Sequence, residues 1–310
     1  MPGNILIVGA KGRFGRAAIT AFFDAGWNVR AFARSWENQT LPAGVGLTTG
    51  NAFDTAALAN AAQGCEVIVN ALNPIYTHWR RDLPRLTFSV IQAARMSGAT
   101  VMLPGNVYNY GEGMPETLDE GTPHRPTSRK GRLRMEMEHS YAKAASLGMQ
   151  TIILRAGDFI GRETTGNWFD SQIAAKVGEG KVMYPGPLDR VHSWAYLPDI
   201  ARAMVGLAEK RGELAKFEQF GFPGFGLTGQ QLIDALQRVS GRTLQINGFP
   251  WPLVRISGLF VPLMRELVEM SYLWRTSHAI SGGKLAACLP DFKATPLDVA
   301  IADAIGGVRG

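Results

Sequence analysis

Three glycines near the start of the chain are spaced as in loops that hold a phosphate. Gly9, Gly12 and Gly15 form a G-x-x-G-x-x-G pattern between an apolar segment and a segment of helical pattern. A loop that leads from a strand into a helix brings backbone N–H groups and the positive end of the helix dipole to an anion. The pattern predicts dinucleotide binding, and the loop residues that we expect to contact the cofactor are Gly9, Lys11, Gly12, Arg13, Phe14 and Gly15.

The end of the second predicted strand bears on which dinucleotide binds. An acidic side chain there hydrogen-bonds the ribose 2′-OH of NAD, whereas a basic side chain accommodates the 2′-phosphate of NADP. Residues 29–35 contain no Asp or Glu, and Arg34 follows the glycine loop at the distance expected for this contact. The sequence therefore favours NADP(H), with NAD(H) second. The alternative is that Arg34 is a solvated charge at the end of a strand.

These residues need a scaffold, and the first half of the chain alternates between strand and helix patterns. The segments that predict strands are 5–8, 29–33, 45–48, 67–71, 100–103 and 151–154, and those that predict helices are 14–25, 55–62, 83–97 and 128–147. Most of the strands are separated by helices or by connections long enough for a crossover. This arrangement indicates a parallel sheet that is covered on both faces.

Beyond Gly157 the pattern is less regular. It predicts a helix near 168–177, a strand and helix within 192–209, and a proline-broken, aromatic helical region at 251–274. We therefore expect an α/β fold, with a Rossmann-type doubly wound parallel sheet and a smaller C-terminal substrate lobe. The predicted dinucleotide-binding domain is 1–160, with 190–222 returning to the sheet, and the predicted substrate lobe is 161–189 and 223–310.

Several further segments carry a family resemblance. They are Gly50–Asp54, Val67–Leu72, Asn106–Gly111, Arg155–Gly161 and Trp194–Ala201. Together with the glycine loop, they resemble the extended branch of the short-chain dehydrogenase/reductase superfamily, the sugar-nucleotide epimerase/dehydratase type, over most of residues 1–220. The resemblance implies that Asn51 lines the adenine pocket. It also implies that Ala71, Leu72 and Asn73, after the fourth strand, lie beside the nicotinamide ribose.

The sequence departs from this family where the family carries its catalytic groups. The resemblance implies a Ser or Thr, then Y-x-x-x-K, in which the Tyr is an acid/base and the Lys holds the ribose. Asn106 stands at the Ser position, Lys130 at the Tyr position and Arg134 at the Lys position. We therefore identify an atypical member of the superfamily. Arg134 keeps a positive charge near the ribose but cannot donate a proton at neutral pH.

Four residues are candidates for the missing chemistry: Asn106, Tyr108, Lys130 and Asp158. All lie at carboxyl ends of predicted strands or in the loop and helix that follow, which is the edge where open α/β sheets bind ligands. Lys130 can donate a proton if burial and nearby arginines destabilise its ammonium form. The alternatives are that Lys130 binds a cofactor phosphate or faces solvent, and that Asp158 only caps a turn.

Two classes of function remain open. One is an NADP(H)-binding oxidoreductase or epimerase-like enzyme that acts on a small carbonyl or hydroxyl substrate, and the other is a non-catalytic NADP(H)-sensing regulatory protein. The net charge of +6 suits a phosphate-bearing ligand. The two cysteines indicate no disulfide framework, and the spacing of the histidines indicates no metal site. We expect a cytoplasmic protein with no nucleic-acid or membrane partner. The aromatic segment 249–274 is interpreted as a lid, with a homodimer surface as the alternative.

Overall fold

The computed structural model describes residues 2–37, 41–162 and 166–308. Its strands are β1 Asn4–Val8, β2 Asn28–Ala33, β3 Gly46–Thr49, β4 Val67–Asn70, β5 Thr100–Gly105, β6 Thr117–Leu118, β7 Thr151–Arg155, β8 Asp158–Ile160, β9 Lys181–Tyr184, β10 Val191–Tyr196, β11 Phe217–Gly221, β12 Phe225–Thr228, β13 Gln245–Gly248 and β14 Ala279–Ile280.

The α-helices are α1 Arg13–Asp24, α2 Thr55–Ala62, α3 Trp79–Ser97, α4 Arg129–Ser146, α5 Leu197–Glu209, α6 Gly229–Ser240, α7 Trp251–Ser257, α8 Pro262–Glu269, α9 Gly283–Cys288 and α10 Leu297–Val308. Short 3₁₀ turns include Tyr76–His78, Tyr108–Tyr110 and Ser271–Trp274. Residues 168–177, where a helix is predicted, contain a π-helical turn at Phe169–Ile173 and a 3₁₀ turn that begins at Val177.

Seven parallel strands form the main sheet, in the order β11-β7-β5-β4-β1-β2-β3. Alternate residues of β1 serve opposite faces. Ile5 and Ile7 pack into the core that contains α1 and α5, whereas Leu6 and Val8 pack into the core that contains α2 and α3. Continuous apolar strands are typical of a parallel sheet buried on both sides. The predicted doubly wound α/β fold is confirmed.

The central strand β1 lies between β4 and β2, so the chain winds outward in both directions from this point. Gly9 directly follows β1, and Ala71 directly follows β4. Because ligands of open α/β sheets bind where the winding direction changes, this edge is the expected place for a cofactor.

A second layer of structure lies beyond the carboxyl edge of the sheet. β10 pairs with β8 and β12 in a three-stranded sheet, and α6 and α10 contribute to its core. The segment 190–222 serves both parts, since β11 joins the main sheet and β10 joins the smaller one. The domain boundaries proposed from sequence stay a prediction. No helix in the described part of the chain is both long enough and apolar enough to cross a membrane.

Candidate functional site

The glycine loop leads from β1 into α1 without a side-chain cap. Gly12 is the N-cap residue, in an extended conformation, and no side chain accepts a hydrogen bond from the first turn of α1. The first N–H groups of a helix have no partner within the helix and favour an anion. The start of α1 therefore fits a pyrophosphate.

The three glycines of the loop serve different purposes. A side chain on Gly15 would lie 2.3 Å from the carbonyl oxygen of Gly9, and Gly9 itself has φ +82° and lies against the backbone of Ala71. By contrast, a Cβ on Gly12 would meet only the Gly9 oxygen, at 3.3 Å. Gly9 and Gly15 thus allow close backbone packing, whereas Gly12 has one close backbone neighbour and contributes no side chain at the start of α1.

Positive charge gathers at the end of β2. Arg34 follows the strand and is exposed, and within the described ranges it has no ion-pair partner. Lys11 Nζ donates over 3.5 Å to the Oγ of Ser35, the residue that directly follows Arg34. A second cation therefore lies at the end of β2. This arrangement suits a 2′-phosphate better than a 2′-hydroxyl.

Arg13 connects the glycine loop to the smaller lobe. Its guanidinium donates to Asp170 Oδ2 at 3.0 Å, and the neighbouring Phe14 ring stacks on Phe159 with centroids 6.3 Å apart. Asp170 also accepts from the backbone N–H of Gly166. The sequence suggested Arg13 as a cofactor contact, and the structure shows that it also links the two parts of the molecule.

The residues expected near the adenine and ribose lie along the same sheet edge. Asn51 is exposed, and its Oδ1 accepts from the backbone of Phe53. The backbone N–H of Leu72 donates to Asn70 Oδ1, which shapes the turn after β4, and Asn73 is exposed in that turn. The structure thus brings the β4 turn against the glycine loop, as the sequence predicted.

Asn106 is held in place by a buried ion pair. Arg155 and Glu138 contact each other at 2.7 Å with both side chains almost fully buried, and Arg155 also donates to the backbone oxygen of Asn106 at 2.6 Å. Burial opposes ionisation of Glu138, but Arg155 outweighs it and lowers the pKa of this carboxyl. Tyr110 packs under the Arg155 guanidinium, so its ring is part of the core.

A pair of phenols lies beside this turn. The hydroxyl oxygens of Tyr76 and Tyr108 are 2.8 Å apart. Burial raises the pKa of Tyr76 to about 12, and burial together with the nearby charges of Tyr76 and Asp158 raises that of Tyr108 well above its ordinary value. Both phenols are therefore neutral at physiological pH and able to donate a proton. The sequence identified Tyr108 and the loop at Leu72 and Asn73, but it missed Tyr76, which lies three residues beyond Asn73.

Asp158 does more than cap a turn. With Nε2 protonated, His192 donates to Asp158 Oδ2 over 2.9 Å, while about a third of the Asp158 side chain stays exposed. The His192 ring stacks on Trp274, with centroids 4.3 Å apart and planes at 5°. His278 packs edge-on against His192, and burial, with the charge of His192, lowers the pKa of His278 to about 3.

Lys130 is buried, and its contacts are acidic. Its Nζ donates to Glu269 at 2.8 Å and also bonds Glu266, and both carboxylates lie on α8. Arg129 Nη2 reaches the same two carboxylates. We call these four residues the clasp. From the sequence we expected arginines to be the charged neighbours of the Lys130 ammonium. In the structure its charged partners are two carboxylates from a distant segment of the chain. No sequence pattern links that segment to Lys130.

Burial opposes ionisation of Glu269, but the hydrogen bonds and charge of Lys130 outweigh it and lower the pKa of Glu269. The ammonium of Lys130 also lies 5.1 Å from the centroid of the Tyr76 ring. The clasp therefore draws together α4, α8 and the turn that carries one of the two phenols.

Arg134 lies one turn further along α4. Its Nη2 donates to the Pro104 carbonyl at 2.7 Å, and its guanidinium lies over the Trp79 ring. The Nε atom is buried and has no partner among the described residues. An orphaned donor at this edge fits a cofactor contact. The described residues contain no group of side chains that could hold a metal ion.

A sequence model of the NAD dependent epimerase/dehydratase family matches residues 5–220 of the chain. No curated protein matches the chain significantly. The same fold occurs in UDP-glucose 4-epimerase from Thermotoga maritima, solved with UDP-glucose; it is 16% identical, with a TM-score of 0.78 over 99% of this chain and 98% of that one.

Two further structures are equally similar. UDP-glucose 4-epimerase from Brucella ovis, solved in complex with NAD, is 17% identical, with a TM-score of 0.76 over 99% of this chain and 98% of that one. UDP-N-acetylglucosamine 4-epimerase from Bacillus cereus is 14% identical, with a TM-score of 0.77 over 99% of this chain and 100% of that one. At these identities the likeness establishes a shared fold.

Proposed function

The chain belongs to the NAD-dependent epimerase/dehydratase family, and from this premise we propose that it binds NADP(H) and acts as an oxidoreductase or epimerase-like enzyme. Its substrate is a small carbonyl or hydroxyl compound. The observation that carries this proposal is the glycine loop between β1 and α1, in which Gly12 is the N-cap residue and contributes no side chain at the start of the helix. Gly9, Lys11, Gly12, Arg13, Phe14, Gly15, Arg34, Asn51, Ala71, Leu72, Asn73 and Arg134 would hold the dinucleotide.

The preference for NADP(H) over NAD(H) rests on Arg34. A guanidinium forms strong, charge-assisted hydrogen bonds with phosphate oxygens, and no carboxylate lies in residues 29–35 to receive a ribose hydroxyl. Arg34 is free to make this contact, since no described residue pairs with it. The cytoplasmic location and the homodimer stay predictions from the sequence.

A bound nicotinamide supplies hydride transfer, and the residues of this chain would handle the proton. Tyr108 is the donor that we favour, because it carries a phenol in the turn that follows β5 and Tyr76 can relay a proton to it over 2.8 Å. Asp158 offers a carboxylate that is partly exposed and oriented by His192. Asn106 lines the same edge, on a backbone that Arg155 fixes.

Titration of the protein with NADPH and NADH, followed by nicotinamide fluorescence, tests cofactor binding. We expect NADPH to bind more tightly. Arg34→Gln should weaken NADPH by about 10- to 100-fold, the equivalent of one charge-assisted hydrogen bond, and leave NADH unchanged. Arg34→Asp should reverse the preference. Equal affinities for the two cofactors in the unaltered protein would refute the role of Arg34.

Loss of NADPH absorbance with a panel of carbonyl substrates tests turnover. Tyr108→Phe should lower turnover by about 10²-fold or more with little change in NADPH affinity. Tyr110→Phe is the matched control, since Tyr110 is buried beside Arg155 and its hydroxyl makes only a long contact of 3.5 Å with the Asp119 carbonyl. Equal effects of the two variants would contradict the assignment of Tyr108.

One observation favours the alternative of a non-catalytic NADP(H) sensor. Lys130, at the position of the family's Tyr, forms ion pairs with two carboxylates of α8. The residue at this position therefore links α4 to α8, which is a structural role. A sensor would bind NADPH with the same dependence on Arg34, yet consume none of it with any carbonyl in the panel.

A further inference from the structure

Exposed apolar side chains concentrate in one short part of the chain. Of the thirteen large hydrophobic side chains that are exposed among the described residues, six lie between residues 253 and 263. Leu259 and Phe260 are the most exposed, at 74% and 82%. This patch, which we call the hairpin tip, covers α7, the turn and the start of α8, and consists of Leu253, Ile256, Leu259, Phe260, Val261 and Leu263.

The hairpin that carries the tip is firmly attached to the protein on its inner side. Trp251 donates to the Pro185 carbonyl at 2.6 Å and packs against Trp168, while Val254 is buried. At the other end, Glu266 and Glu269 bind Lys130. The hairpin is therefore attached at both ends, through Trp251 and Val254 on α7 and through Glu266 and Glu269 on α8, and its apolar tip lies exposed between these contacts.

The acidic and basic residues of the hairpin lie on opposite sides, the acidic ones towards the protein and the basic ones towards solvent. Its acidic residues, Glu266 and Glu269, face inward and are neutralised by the clasp. Its basic residues, Arg255 and Arg265, are exposed and line one pocket with Gly258, Leu259 and Val268. The outer surface thus combines exposed apolar side chains with positive charge and carries no negative charge from these two helices.

The combination of exposed apolar side chains and arginines favours one type of binding partner for the hairpin tip. Apolar side chains with arginines beside them match the boundary between acyl chains and anionic headgroups. A second copy of the chain is a poorer match, because a two-fold interface through the tip would bring the arginines of both copies together without a counter-charge. A phosphate headgroup can enter the pocket between Arg255 and Arg265 while Leu259 and Phe260 enter the apolar layer.

We propose that the hairpin tip docks the protein on the surface of an anionic phospholipid bilayer. Leu259 and Phe260 insert, and Arg255 and Arg265 bind headgroup phosphates. This peripheral attachment needs no membrane-spanning helix. It departs from the expectation, drawn from the sequence, that the protein has no membrane partner.

Sedimentation with vesicles tests the proposal. The full chain should sediment with vesicles of phosphatidylcholine and phosphatidylglycerol, and much less with phosphatidylcholine alone, and added salt should weaken the binding. The double variant Leu259→Ser, Phe260→Ser should lower the partition coefficient by about 10²-fold or more. Arg255→Gln and Arg265→Gln should each lower it by about fivefold, and only for the anionic vesicles.

Leu147→Ser is the matched control, because Leu147 is 67% exposed and lies outside the hairpin; it should bind as the unaltered protein does. Absence of binding to anionic vesicles, or binding that the tip variants leave unchanged, would overturn the proposal. So would sedimentation velocity that shows a dimer which Leu259→Ser, Phe260→Ser converts to a monomer, because the occupant would then be a second copy.

Discussion

Lys130→Met separates the two roles that position 130 can have. The substitution removes the ammonium and keeps most of the length of the side chain. In the structure, Lys130 Nζ contacts Glu266 and Glu269, whose side chains are only 15% and 13% exposed. We expect the variant to loosen α8 from α4, because the two carboxylates then keep only the exposed Arg129 guanidinium as a charged partner among the described residues, while Glu269 still accepts from the backbone N–H groups of Arg129 and Lys130.

The size of the effect follows from the burial of the clasp. Removal of one partner of a fully buried ion pair costs about 3–5 kcal/mol. The two carboxylates keep some exposure and can regain water, so we expect about 2–3 kcal/mol here, which corresponds to roughly a 10²-fold increase in the opening equilibrium of α8. Glu269→Gln leaves Glu266 in contact with Lys130 and should have a smaller effect.

Amide hydrogen exchange by peptide is the assay. Exchange in Pro262–Glu269 should accelerate by about 10²-fold in Lys130→Met, while the strands of the main sheet exchange at their original rate. The reasoning would be refuted by unchanged exchange in α8 together with turnover that falls by about 10²-fold at unchanged NADPH affinity. That result would assign Lys130 to the chemistry, as the sequence alone suggested.

Three further predictions follow from single contacts. Gly12→Val should abolish NADPH binding in a protein with unaltered circular dichroism, because its side chain would stand at the start of α1, where the pyrophosphate would bind; retained binding would place the ligand elsewhere. Glu138→Gln should lower the free energy of unfolding in urea by about 3–5 kcal/mol, because it leaves Arg155 buried without a counter-charge, whereas Arg238→Gln, in an exposed pair, should change it little. The lowered pKa of Glu269 contributes stability above the ordinary value of 4.5, and this stability is lost as the pH falls through the folded-state pKa; the protection factors of α8, in which exchange is corrected for the pH dependence of the intrinsic rate, should therefore fall below about pH 4.5, and unchanged protection factors down to pH 3 would contradict it.

The sequence predicted the main sheet well because its signals are local. Each strand of the sheet is a short apolar run bounded by glycine, proline or polar residues, and Ile5–Val8 leads directly into the glycine loop. The start of one helix and one short helical turn were harder to predict. The helix predicted from Leu83 begins at Trp79 and contains Pro84, which has no backbone N–H to donate to the carbonyl four residues earlier and therefore looked like a residue near the helix start. The helix expected near residue 168 is mainly a short π-helical turn, fixed by its packing against Trp194.

The cofactor side of the site was more predictable than the substrate side. The residues of the glycine loop and of the β4 turn are adjacent because parallel strands end at one edge, and topology alone brings them together. The partners of Lys130 and Asp158 come instead from residues 266, 269 and 192, which are far away in sequence. No local pattern marks these pairs, because each residue alone looks like an ordinary surface charge or a lone histidine.

The resemblance implies that Lys130 and Arg134 stand at the positions of the family's Tyr–Lys pair, and the contacts of both residues are consistent with such an exchange. A Lys at the first position would leave a buried positive charge uncompensated, and the carboxylates of α8 supply the compensation. An Arg at the second position keeps a permanent charge, and it is held by the Pro104 carbonyl and the Trp79 ring. Neither residue offers a phenol, but Tyr108 and Tyr76 place two of them beside Lys130. In the mechanism that we propose, the proton donor lies in the turns after β4 and β5 and not on α4, and Tyr108→Phe therefore bears most directly on whether the chain is an enzyme.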